Sequence, residues 1–171
     1  KAPIIPAAIA DTAGELPMPD NLSKPLKVGV SLILNDIINL DEKNGVFEAG
    51  VDLSLSWQNP NLSFDPKVQG TNLRTFDAVQ TKAELKRVWS PNIVISNIQK
   101  IVSDEPSMMI SPDGSVVYTQ RIKAQFKITP DLRSFPFDSQ RLTFYLDAPD
   151  NTSSEVQFTQ SQQDINGSGV R

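Results

Sequence analysis

The sequence predicts an all-β protein, an antiparallel β-sandwich with at most short helical turns. Apolar residues recur at every second position through several long runs, turn signals separate those runs, and one stretch alone offers a helical pattern. Alternation with a period of two puts successive side chains on opposite faces, as a strand with one buried and one wet face requires.

Residues 1–25 carry five prolines, Pro3, Pro6, Pro17, Pro19 and Pro25, among small and polar residues. This composition predicts an extended lead-in with one short helical turn around residues 7–14. In VGVSLIL, Val28, Val30, Leu32 and Leu34 then alternate with Gly29, Ser31 and Ile33. DEKNG at 41–45 follows, a hairpin signal through Asn44-Gly45. The clearest run comes next, with Phe47, Ala49, Val51, Leu53, Leu55 and Trp57 facing one way and Glu48, Gly50, Asp52, Ser54, Ser56 and Gln58 the other. No helix carries that pattern, so this is a long half-buried strand.

QNPNLSFDP at 58–66 reads as a turn-rich connection, and FDAVQTKAELKRVW at 76–89 as a short helix. NIVISNI at 92–98 reads as a short apolar strand. SPDG at 111–114 is a tight turn with proline second and glycine fourth. It leads into a strand in which Val116, Tyr118, Ile122, Ala124, Phe126 and Ile128 alternate with Arg121, Lys123, Gln125 and Lys127. RLTFYL and EVQFT are two further strands, with Leu142, Phe144, Leu146, Val156 and Phe158 inward. The outward faces are Ser, Gln, Lys and Asp, which predicts polar, weak subunit contacts and a largely monomeric isolated chain.

At 171 residues the chain is long enough for one core, here a sandwich over 26–160 between the lead-in and a polar end at 161–171. With 39% hydrophobic and 21% charged residues the composition is that of a folded domain. A net charge of −4 argues against nucleic acid, whose phosphates need a clustered basic surface. There is no cysteine, hence no disulfide, and no histidine, which removes the usual zinc ligands and catalytic triads. Any sensing of mild acid then falls to carboxylates. No run approaches the ~20 apolar residues that span a bilayer, and the N-terminus lacks the layout of a signal peptide. A signal or anchor, if the protein has one, is expected outside this sequence.

Five blocks, in order, carry a resemblance. They are LDEKNG (40–45), SLSWQNPNLSFDP (54–66), VWSPNIVISN (88–97), SPDGSVVYTQR (111–121) and PFDSQRLTFYL (136–146). Together they are similar to pentameric ligand-gated ion channels, the Cys-loop receptors, over about residues 26–160. The thirteen residues between Ile128 and Leu142 resemble the Cys-loop itself, with apolar residues where animal members have cysteines, as in prokaryotic members. The resemblance implies an extracellular or periplasmic ligand-binding domain with an immunoglobulin-like sandwich, arranged as a homopentamer on a membrane pore. It also implies further strands and membrane helices that this sequence does not contain. Ligand or protons would act between identical subunits, without a cofactor, a metal or catalysis.

Carried over block by block, the binding cleft involves Asp52, Ser96, Arg121, Ala148 and Pro149. Receptors for amines place aromatic rings at several of these positions, whereas Asp, Ser, Ala and Pro argue against an aromatic box. Arg121 is the cation of the set and suits a carboxylate in bidentate fashion, the plain alternative being a strand arginine paired with a surface acid. The same carry-over assigns Asp41, Glu42, Phe135, Pro136, Phe137 and Asp138 to coupling with the pore, the two phenylalanines and proline forming a rigid apolar knob. A buried turn closed by Asp138 is the simpler reading of that stretch taken alone. Asp36, Asp41 and Glu42 are the candidate proton-sensitive acids, against the default of solvated turn acids. Asp147, Asp150 and Asn151 offer hard oxygens, but their spacing fits a plain loop better than a calcium site.

Two other classes remain in view. A secreted sandwich binding carbohydrate or a small molecule would want exposed aromatics, and the chain has 7%, mostly in inward phase. A two-carboxylate hydrolase would want a placed acid pair, which the sequence does not supply.

Overall fold

The longest alternating run pairs with the run before it in a hairpin. In the computed structural model, which describes residues 16–128 and 142–160, β1 (Leu26–Asp41) turns at DEKNG into β2 (Val46–Gln58). Strands β3 (Arg74–Phe76), β4 (Val94–Ile95), β5 (Ile98–Ile110), β6 (Ser115–Lys127), β7 (Leu146–Asp147) and β8 (Val156–Gln160) follow, with helices α1 (Pro66–Gln69) and α2 (Ala78–Glu84). A six-stranded sheet runs in the order β3-β5-β6-β2-β1-β8, and β4 pairs with β7 in a second, two-stranded sheet. All pairings are antiparallel except β1 with β8, which run parallel.

The core follows the predicted phase of β2. Phe47, Ala49, Val51, Leu53, Leu55 and Trp57 are all buried, against Val116, Ile122, Ala124 and Phe126 of β6. Phe126 stacks on Phe47 with ring centres 5.2 Å apart. Phe144, on the chain returning toward β7, meets Phe126 edge-on at 5.0 Å and Phe47 at 5.6 Å, and so closes the sandwich at that end. Both tryptophans are buried.

Several expectations need correction. The helix covers Ala78–Glu84 rather than 76–89, because Asp77 and Gln80 close a capping box that fixes its start. The strand expected over 92–98 contracts to Val94–Ile95, and that over 141–146 to Leu146–Asp147. Leu142, Phe144 and Leu146 nonetheless pack inward as half-buried residues. Phe158, expected inward, is 43% exposed, because β8 is the edge strand of its sheet. Strand β5 was not expected at all. Its Pro106 lies beyond the three residues, Met108–Ile110, that β3 pairs, and is in register with Gln120 of β6.

The far half of β1 also overturns the expectation of purely polar outward faces. Ile33, Leu34, Ile37, Ile38 and Leu40 are all substantially exposed. Irregularities between Leu34 and Asp36 and between Ile37 and Asn39 shift the strand's phase. β8 covers its free edge only at Leu26–Val30, so the remainder has no described strand beside it.

Candidate functional site

The candidate cleft residues divide between the two sheets. Asp52 and Arg121 are direct partners across β2 and β6 on the outward face of the large sheet. The Arg121 Nε donates to Asp52 Oδ1 at 3.1 Å and an Nη to Oδ2 at 3.4 Å. Glu105 of β5 flanks Arg121 on its other side in the register. The guanidinium is therefore held by Asp52, with Glu105 a nearby like-signed neighbour of that acid, and its 69% exposed side chain still faces outward. An exposed pair of this kind contributes little stability. A carboxylate ligand would have to compete with Asp52 for the fork.

Ser96, Ala148 and Pro149 belong instead to the small sheet and its ends. The Ser96 N–H donates to the Tyr145 carbonyl at 2.8 Å, and its hydroxyl reaches the same oxygen at 3.3 Å. Ala148 is half-buried against the core and Pro149 is exposed. Tyr145, which the sequence reading passed over, is 44% exposed beside Ser96. Its outward phase in LTFYL, between inward Phe144 and Leu146, was the available signal. Within one chain these two groups of candidates lie on different sheets.

At the other end, the β1–β2 turn is built around Asp41. Its carboxylate accepts from the Asn44 N–H at 3.0 Å and from Asn44 Nδ2 at 2.7 Å. Only Gly45 adopts a left-handed φ, of 64°, so the turn is a longer loop ending in glycine rather than a two-residue Asn-Gly turn. The Asn44 side-chain bond, then the backbone bonds, hold Asp41 below its ordinary 3.8. A depressed carboxyl contributes to the turn at every pH above 3.8 and loses that contribution only as pH falls through its lower folded value. Asp41 is thus a structural acid of the turn and stays charged through mild acid. Asp36 lies over Gly50, in the space that a Cβ there would take.

Phe135, Pro136, Phe137 and Asp138 lie outside the described residues, but both flanks of that stretch are defined. The Ile128 N–H donates to the Gly45 carbonyl at 2.8 Å, which sets the outgoing chain against the β1–β2 turn. Asn97 ties the flanks together. Its Nδ2 donates to the carbonyls of Lys127 at 3.2 Å and Thr143 at 2.7 Å, while its Oδ1 accepts the Tyr145 N–H at 3.2 Å. One amide therefore bridges the end of β6 and the returning chain, a polar clamp at the neck of the loop. Sequence reasoning missed this role because an asparagine closing a strand reads first as a turn residue.

Among the described residues no three acids gather to hold a metal ion. Of the suggested calcium ligands, Asp150 accepts instead from Asn92 Nδ2. No helix among the described residues is long and apolar enough to cross a membrane.

A sequence profile described as neurotransmitter-gated ion-channel ligand binding domain matches residues 14–170. The chain belongs to that family. A proton-gated ion channel of Gloeobacter violaceus is 34% identical over 131 residues, 76% of this chain and 34% of that protein. The neuronal acetylcholine receptor subunit alpha-10 of Rattus norvegicus is 32% identical over 124 residues, 70% of this chain and 26% of the receptor. The glycine receptor subunit beta of Homo sapiens is 22% identical over 139 residues, 78% of this chain and 27% of the receptor. The chain thus spans about a third or less of the length of these relatives. They are channels and receptor subunits by name, and the β-sandwich with short helices is the ligand-binding domain of this family rather than an enzyme fold.

Proposed function

We propose that this domain serves a bacterial pentameric channel as its sensing and coupling unit, placed on the extracellular or periplasmic side of a membrane pore. Five identical copies form the ring, and a small ligand or protons act between neighbours. The observation that carries this reading is the division of the candidate cleft between two sheets. Asp52 and Arg121 on one sheet, and Ser96, Ala148 and Pro149 on the other, form a complete cleft when one subunit's large sheet meets the next subunit's small one. The likeness to a bacterial proton-gated channel and the cysteine-free neck favour a prokaryotic setting.

Coupling runs through the membrane-facing end. Asp41 fixes the β1–β2 turn, Glu42 is exposed on it, and the segment holding Phe135, Pro136, Phe137 and Asp138 leaves the sandwich at Ile128, against the same turn. In a full-length channel Glu42→Gln should shift or reduce opening while ligand affinity of the isolated domain stays unchanged. Electrophysiology alongside calorimetry on the domain separates the two effects. Loss of ligand affinity in the isolated variant would remove Glu42 from the coupling role.

A further inference from the structure

We propose that Asn44-Gly45, in the β1–β2 turn, is a site of spontaneous covalent modification at which the Asn44 carboxamide becomes a carboxylate. Water is the only co-reactant, and the site rests on the geometry of the turn, not on the channel reading. The Gly45 nitrogen attacks Asn44 Cγ and forms a bond to it. The carboxamide nitrogen leaves as ammonia, with the proton that the Gly45 nitrogen gives up. Water then opens the five-membered imide at either carbonyl, which leaves aspartate or isoaspartate. One water enters, one ammonia departs, the ammonia takes up the new carboxyl proton, and nothing is oxidised or reduced.

The turn supplies what this reaction needs. Gly45 puts no side chain beside the attacking nitrogen, and nothing stands within 4 Å of a methyl built there, so the ring has room to close. The Gly45 N–H makes only a long bond, 3.3 Å, to the Glu42 carbonyl. Asn44 is exposed, so water reaches the imide. The restraint is Asp41, whose Oδ2 holds Asn44 Nδ2 at 2.7 Å while Oδ1 holds the Asn44 N–H at 3.0 Å. The carboxamide must leave Asp41 before it can turn toward Gly45, so Asp41 guards the site and sets its pace.

The product undoes the turn that made it. A carboxylate at position 44 has no N–H to donate to Asp41, and two like charges then face each other where the tie had been. Isoaspartate also adds a carbon to the main chain ahead of Gly45, beside the Asp41–Val46 pair that ends the hairpin ladder. The Gly45 carbonyl is the acceptor for the Ile128 N–H at 2.8 Å, so the contact that sets the outgoing chain against the turn loosens with it.

The test ages the folded 171-residue chain in mildly alkaline buffer beside a free peptide of sequence DEKNGVF. Peptide mapping by mass spectrometry then locates the product, and enzymatic methylation reads isoaspartate. Mapping is needed because Asn166-Gly167, outside the described residues, is a second such pair. A progressive one-dalton gain at Asn44 is expected, slower than in the free peptide and faster as pH rises, because the Gly45 nitrogen must lose its proton. Asp41→Ala should speed it roughly fivefold, the worth of one lost hydrogen bond. Asp41→Asn, which keeps a weaker neutral acceptor, should fall between and replaces the alanine variant where that folds poorly. Asn44→Gln, whose ring would need six members, should show no gain. In the aged chain the Ile128 amide should exchange its hydrogen faster while the amides within β2 hold. An unmodified Asn44 once the free peptide has reacted fully overturns the proposal. So does an Asp41 variant that reacts no faster than the parent, or an aged chain whose Ile128 amide is unchanged.

Discussion

Phe126→Ala should cost the domain about 3–5 kcal/mol, the range for emptying a fully buried aromatic site. Phe126 is 0% exposed and touches two other rings, Phe47 at 5.2 Å and Phe144 at 5.0 Å. The three rings come from β2, from β6 and from the chain returning toward β7, so the cavity would open where three segments meet. Domains of this size are stable by only about 5–15 kcal/mol, and the loss is a large part of that. Phe126→Leu keeps most of the volume and should cost less than about 1.5 kcal/mol. Urea unfolding of both variants measures the difference directly. A cost for the alanine variant below that of leucine would mean that the aromatic cluster does not hold this end of the sandwich.

Gly114→Ala should be the most disruptive single methyl group in the described chain, at about 2–4 kcal/mol. Gly114 has φ of +83°, and a Cβ there would collide with the Asn59 carbonyl, with the Asn59 carbon 3.0 Å and the Pro60 Cα 3.3 Å away. These are backbone atoms, and the Asn59 N–H is itself bonded to the Gly114 carbonyl at 2.9 Å, so the two segments cannot simply part. Gly45→Ala provides the control. Its φ is +64° but nothing stands within 4 Å of the added methyl, so it should pay only the strain of about 1 kcal/mol. Equal melting temperatures for the two variants would show that conformational strain, and not the Asn59 contact, sets the cost.

The strand that needed no tertiary information was the one read best. β2 alternates without a break from Phe47 to Trp57, and every inward position is buried. β1 began in the same way, but its irregularities past Leu34 obey pairing geometry with β2 that no local pattern reveals. β5 escaped notice because KIVSDEPSMM mixes phases and contains Pro106, a residue that by itself argues against a strand inside a sheet. Phe158 has the inward phase, yet it sits on an edge strand, and edge position is a property of the sheet. The site was legible to the same degree. Asp52 and Arg121 were visible as polar-face residues, but their ion pair depends on a register between positions 69 apart in sequence. That register also answers whether Arg121 is free for a ligand: Asp52 already occupies its fork. Asn97 shows the opposite limit, since its amide serves chain segments 30 and 46 residues away and only the fold brings them together.

The proposed ring sets the large sheet of one subunit against the small sheet of the next. Cross-linking tests it, with Arg121→Cys and Ala148→Cys placed together in a full-length channel from which any other cysteines have been removed, and treated with a short bis-maleimide. Arg121 is exposed on the large sheet and Ala148 closes the small one, so the reagent should join neighbours around the ring. A ladder of covalent species ending at five subunits is expected in the double variant, and none in either single variant. Monomers alone, or single-variant ladders that match the double, would contradict it.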